Sequence, residues 1–184
     1  LVDEIAIFGA ASEAFSKANI NCSIEDSLAR FIPMIAAAKA ADIPVRGYVS
    51  CITDCPYEGA VSPQRTAWVA QALFDMGCYE ISLGDTIGQA TPERLDKTLQ
   101  AVLDSVPASA LAGHYHDTNQ RALENISLSL GHGIRVFDVA VGGLGGCPYA
   151  PGAKGNVATE AVAALMQSQG FETGLDLIKL EKAA

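Results

Sequence analysis

The chain has no apolar run long enough to cross a bilayer, no cluster of basic residues and no regular cysteine framework. A spanning helix takes about 20 consecutive apolar residues, so no membrane partner is expected, and no signal-peptide pattern is present. Twelve Lys and Arg stand against 21 Asp and Glu, for a net charge of −9. Without a basic stripe to neutralise phosphates, nucleic acid is not expected as a partner either. The five cysteines, Cys22, Cys51, Cys55, Cys78 and Cys147, are odd in number and irregular in spacing. Cys51 and Cys55 have the spacing of a zinc half-site, but no second pair completes it, and free thiols in a reducing compartment are the expectation.

What is present is a globular composition, 49% hydrophobic and 18% charged over 184 residues, enough for one domain with a substantial core. Five short apolar segments read as strands: residues 4–10, 45–51, 79–85, 110–117 and 136–142. They lack strict alternation, as strands buried on both faces do. A helical pattern follows each. Residues 23–41 open with Ser23 and an acid three positions on; Ser62-Pro63 and Thr91-Pro92 pair a capping hydroxyl with proline at the first helical position. Helices are also expected over 119–131 and 156–170, and the chain ends in a charged helical segment, 177–184.

Repeated βα units imply a parallel sheet with right-handed crossovers. The glycine-rich run 142–146 does not form the G-x-G-x-x-G fingerprint of a dinucleotide site. Polar residues gather instead at strand C-terminal ends: Asp85, His114, His116, Asp117 and the 142–147 loop. That is the habit of a TIM-type (β/α)8 barrel. A barrel has eight units; five are visible here. The expectation is a single catalytic barrel domain over 1–184, an N-terminally truncated α/β chain that supplies strands 4 to 8.

Two of the three histidines are His114 and His116. Side chains two apart on a strand share a face, so both imidazoles converge on one point, as a metal requires. The competing reading is a hydrogen-bonded core pair. His132, between Gly131 and Gly133, reads as a solvated loop residue. Asp85 ends a strand and reads as a turn aspartate or a ligand-facing acid. Cys147, on a glycine-flanked loop, reads as an ordinary thiol or a reactive one. Asn156 opens a helix and is a capping residue or a hard oxygen ligand. Two imidazoles with oxygen ligands suit Mg2+ or Mn2+ with open positions for substrate oxygens, and zinc also fits.

These residues lie in blocks that resemble the hydroxymethylglutaryl-CoA lyase family. The most specific block is VGGLGGCPYAPGAKGN at 141–156; others are IAIFGAASE at 5–13, NINCS at 19–23, RGYVSC at 46–51, CPYEG at 55–59, SLGDT at 82–86 and HYHDT at 114–118. The resemblance implies cleavage of 3-hydroxy-3-methylglutaryl-CoA to acetoacetate and acetyl-CoA, a retro-Claisen reaction on a small CoA thioester. It implies His114, His116 and Asn156 as ligands of a divalent metal, Mg2+ or Mn2+, with Cys147, Asp85 and His114 as catalytic residues. Arg46, Tyr48, Ser82, Asn19 and Ser23 fall in blocks that line the substrate and CoA side. It further implies a homodimer in the bacterial cytoplasm, or the mitochondrial matrix of a eukaryote. The family's first strand carries an Arg-Asp pair, and its second a glutamate, that have no match in this chain. The alternatives are a Claisen-condensing relative of the isopropylmalate or homocitrate synthase type, and a non-catalytic barrel fragment.

Overall fold

A computed structural model describes residues 2–146 and 155–184. In chain order its strands are β1 (Ile5–Ala10), β2 (Val45–Ser50), β3 (Asp54–Cys55), β4 (Gly59–Ala60), β5 (Glu80–Asp85), β6 (Leu111–Tyr115) and β7 (Val136–Phe137). Its α-helices are α1 (Glu13–Ile20), α2 (Ile24–Ala40), α3 (Pro63–Asp75), α4 (Pro92–Leu103), α5 (Ala122–Gly131), α6 (Thr159–Ser168) and α7 (Leu177–Ala183). The expected caps form: Ser23 Oγ accepts from Asp26 N at 3.0 Å, Ser62 Oγ from Arg65 N at 3.2 Å and Thr91 Oγ1 from Arg94 N at 3.4 Å. Helix α1, which the strand pattern did not signal, is capped the same way by Ser12, whose Oγ accepts from Phe15 N at 3.1 Å.

Five strands form one parallel sheet in the order β1-β2-β5-β6-β7, and β3 and β4 are a small antiparallel hairpin between β2 and α3. Each main-sheet strand lies beside its predecessor in the sheet. A doubly wound sheet reverses direction at a switch point; this one advances in a single sense, as successive staves of a barrel do. The protein is therefore an arc of a (β/α)8 barrel.

The register sorts the residues onto two faces. Ile7, Val49, Ile81, Leu83, Leu111 and Tyr115 point to the helix layer and are nearly fully buried. They pack against Leu73 of α3, Leu95 and Leu99 of α4, and Ile126 of α5. A Cβ on Gly47 would stand 2.9 Å from Ile81 Cδ1 and 3.3 Å from Leu73 Cδ1, so a larger residue would press these side-chain tips aside. The other face carries Phe8, Tyr48, Ser82 and His114, and is the concave, polar side.

Three expectations shift. The strand read over 136–142 keeps its ladder only through Phe137. Beyond it, Ala140 turns to residues further along the chain, donating from its N–H to Val157 O at 3.1 Å. The helix read from 156 begins at Thr159, because Asn156 is held in an antiparallel bridge to His116. His132 is not a solvated loop residue: its Nε2 lies 2.7 Å from Asp96 Oδ1 of α4, with 21% of the side chain exposed. Nothing local to Gly131-His132-Gly133 announces a partner 36 positions earlier.

Leu73→Ala should cost about 2–5 kcal/mol of stability, since it opens a cavity where α3 meets the sheet. Urea denaturation of the variant checks this, and a midpoint matching that of the parent would contradict the packing described.

Candidate active site

The concave face holds an ionic network that begins low on the strands and rises to their C-terminal ends. Arg46, buried on β2, donates from Nε to Glu80 Oε1 at 2.7 Å across the β2–β5 register. Its Nη2 lies 2.8 Å from Asp138 Oδ1, and its Nη1 donates to Asp138 Oδ2 at 3.1 Å. Nη1 also meets the Tyr48 hydroxyl, while the guanidinium lies 4.8 Å over the Tyr48 ring. Ser82 donates from Oγ to Asp138 Oδ2 at 2.7 Å, and His114 Nδ1 approaches the same oxygen at 3.2 Å. Burial by itself would raise the Asp138 pKa, but hydrogen bonds from His114, Arg46 and Ser82 and the Arg46 charge outweigh it and hold the carboxyl at about 2. Burial opposes the Arg46 charge too, and the bonds to Asp138 and Glu80 overcome it, raising that pKa above its ordinary value.

Above this network stand the two histidines, on one face as their spacing requires. Their ring centroids are 5.3 Å apart, tilted by 52°. His116 is 9% exposed, and its Nδ1 is buried with no hydrogen-bond partner among the described residues. Burial, and then the neighbouring His114, lower the His116 pKa against a hydrogen bond to the Thr86 backbone, and this lowering favours the neutral ring and its lone pair. Asn156 joins through its backbone bridge to His116. Its Nδ2 donates to Leu144 O at 2.9 Å, and its Oδ1 has no hydrogen-bond partner among the described residues.

Two glycines make this approach possible. A Cβ on Gly145, at φ +96°, would stand 2.8 Å from Asn156 Nδ2, and one on Gly155 would stand 2.5 Å from Gly145 O. Phe8, Tyr48, Ser50, Gly84, Thr86, His114, His116 and Gly146 border a cavity of about 210 Å³ at this mouth. A larger apolar cavity of about 500 Å³, by Val136, Val162 and Met166, includes none of these polar groups.

Among the described residues, a buried imidazole nitrogen without a partner, a second imidazole beside it and an amide oxygen without a donor fit a divalent cation. No three His, Cys, Asp or Glu side chains converge among the described residues, so the donor set here is two histidines and an amide.

The other predicted residues separate. Arg46, Tyr48 and Ser82 lie in the Asp138 network. Asn19 is on the exposed side of α1, and Ser23 Oγ caps α2. Asp85 has the parity of Ile81 and Leu83 and so lies on the helix-facing side. Its carboxylate accepts from Gln89 N at 3.1 Å and Ala90 N at 3.0 Å, closing the turn after β5. Cys147 lies outside the described residues. Sequence reasoning missed Asp138 and Glu80. The available signal was an ionisable residue inside an apolar strand, which needs an opposite charge to be buried.

A family model described as HMGL-like matches residues 1–184. The cytoplasmic 3-hydroxy-3-methylglutaryl-CoA lyase of Mus musculus is 57% identical over 180 residues, covering 98% of this chain and 52% of the relative. The crystal structure of the HMG-CoA lyase from Brucella melitensis superposes with a TM-score of 0.97 at 59% identity, over 99% of this chain and 64% of that one. An HMG-CoA lyase from Acinetobacter baumannii, solved with coenzyme A and 3-methylmalate, gives a TM-score of 0.89 at 31% identity, over 97% of this chain and 58% of that one. The chain thus spans about half the length of the first curated relatives it matches.

Burial raises the Asp85 pKa to about 6, against the pull of the Ala90 and Gln89 backbone bonds. The folded state then holds this proton more tightly than the unfolded chain does. The stability linked to it is present below the ordinary carboxylate value and lost as pH rises through about 6. Asp85→Asn should therefore destabilise more at pH 4 than at pH 7, read from urea midpoints. A loss independent of pH would contradict a raised pKa.

Proposed function

The chain belongs to the HMGL-like family, and from that premise we propose that it is catalytic barrel sequence of a carbon–carbon lyase cleaving 3-hydroxy-3-methylglutaryl-CoA to acetoacetate and acetyl-CoA. The observation that carries this reading is the pairing of His114 with His116, whose buried Nδ1 has no partner among the described residues, beside the bridged Asn156. The lyase names of relatives at 57% and 53% identity favour cleavage over the condensing alternative. The coenzyme A held by the Acinetobacter baumannii lyase supports a CoA thioester as substrate.

His114, His116 and Asn156 would hold a divalent cation, Mg2+ or Mn2+. Such a cation, when bound, supplies Lewis-acid polarisation of substrate oxygens. The remaining steps fall to side chains. The tertiary hydroxyl of the substrate loses its proton to a base; a carboxylate is the candidate, because a His114 ring that ligates through one nitrogen and donates from the other to Asp138 keeps no lone pair for the proton. Asp138 is not that base, because its salt bridge to Arg46 and its three hydrogen-bond donors leave the carboxylate little basicity. The carbon–carbon bond then breaks, its electron pair passing into the acetyl-CoA enolate while the hydroxyl carbon becomes the ketone of acetoacetate. The Cys147 thiol gives its proton to the α-carbon, and the proton taken from the hydroxyl restores the thiol. Arg46, Tyr48 and Ser82 act from the network below, and Asn19 and Ser23 from the ends of α1 and α2. Asp85 acts by shaping the turn after β5. A homodimer in the cytoplasm, or in the mitochondrial matrix of a eukaryote, completes the reading; relatives carry both compartments in their names.

Incubation with 3-hydroxy-3-methylglutaryl-CoA and Mg2+ should yield acetoacetate, and EDTA should abolish it. No product from a protein that binds Mn2+ would favour the non-catalytic alternative. Cys147→Ala should lower kcat roughly 10²–10⁴-fold, the usual worth of a placed acid, with Mn2+ affinity by calorimetry unchanged. Unchanged turnover would remove Cys147 from the mechanism.

A further inference from the structure

Asp138 is saturated by donors. Its Oδ1 takes Arg46 Nη2 at 2.8 Å; its Oδ2 takes Ser82 Oγ at 2.7 Å, Arg46 Nη1 at 3.1 Å and His114 Nδ1 at 3.2 Å. A carboxylate salt-bridged to a buried guanidinium carries no proton and can only accept. The hydrogen in the His114–Asp138 contact must then reside on Nδ1. A neutral imidazole has one N–H, so Nε2 keeps the free lone pair. Arg46 is itself fixed from the far side by Glu80 at 2.7 Å, which holds the carboxylate against reorientation.

We propose that Asp138 is a positioning residue for the metal site: anchored by Arg46 and Ser82, it locks His114 in the Nδ1–H tautomer and presents Nε2 as the ligating nitrogen. The proposal rests on the reading of His114 as a ligand and adds a residue that touches neither metal nor substrate. A carboxylate behind a ligating histidine fixes the ring orientation and raises its basicity, and its loss costs about 10–100-fold in metal affinity. Arg46 and Ser82 thereby gain a role apart from contacting the CoA ester: they hold the carboxylate that holds the histidine.

The test uses full-length protein labelled with 15N in histidine. In the metal-free parent, long-range 1H–15N spectra at a pH where His114 is neutral should show the proton on Nδ1. A proton on Nε2 would overturn the proposal without any variant. Asp138→Asn should move His114 towards the other tautomer and weaken Mn2+ binding about 10–100-fold by calorimetry, and Asp138→Glu should recover part of both. A folded Asp138→Asn protein with the parent's tautomer and Mn2+ affinity would refute the positioning role while leaving the ligand assignment standing. Conversely, if His116→Ala leaves Mn2+ affinity unaltered, the ligand reading fails, and with it the link between tautomer and metal.

Discussion

Arg46 and Asp138 are 92 positions apart in sequence and meet in the concave face of the sheet. Stripping water from two charges costs several kcal/mol for each, and only close geometry with further hydrogen bonds repays it. Here both groups have that compensation: Arg46 is shared between Asp138 and Glu80, and Asp138 between Arg46, Ser82 and His114. One positive charge thus stands among two negative ones. The surplus negative charge lies beneath the two histidines, in the sense that favours a cation above.

This arrangement ties the lower part of the concave face to its mouth. β2 contributes Arg46 and Tyr48, β5 contributes Glu80 and Ser82, β6 contributes His114, and the chain just past β7 contributes Asp138. A shift of any of these strands along its neighbour would separate the charges. The apolar face alone is more forgiving, since Ile, Leu and Val exchange contacts at small cost. The ionic face therefore fixes register, and with it the heights at which His114 and His116 stand.

The same register divides two residues that the sequence places together. Asp85 and His114 both end strands at the mouth of the barrel, yet Gly84, not Asp85, lies opposite His114. Strand alternation then turns the Asp85 carboxylate towards the helix layer, where two backbone N–H groups take it. The proposed metal site consequently draws on the histidines of β6 and on Asn156, which a glycine-rich segment brings against His116. Glycines 145 and 155 matter through the Cβ they lack.

By itself the sequence determined the alternation of strands and helices, the capping of α2, α3 and α4, the common face of His114 and His116, and the family blocks. All of these are local: caps act over three residues, strand parity over two, and motifs over a handful. Tertiary structure decided what depends on distant partners. The barrel arc, expected from the polar residues at strand ends, is borne out by the order in which the strands pair. Asp138 went unnoticed in the sequence, and only the fold brings Arg46, Ser82 and His114 onto it. His132 acquired Asp96 from another helix, and Asn156 left the helix to bridge His116. Each outcome turns on which side chains the sheet register and the helix layer bring within hydrogen-bond reach, and that is a property of the folded chain alone.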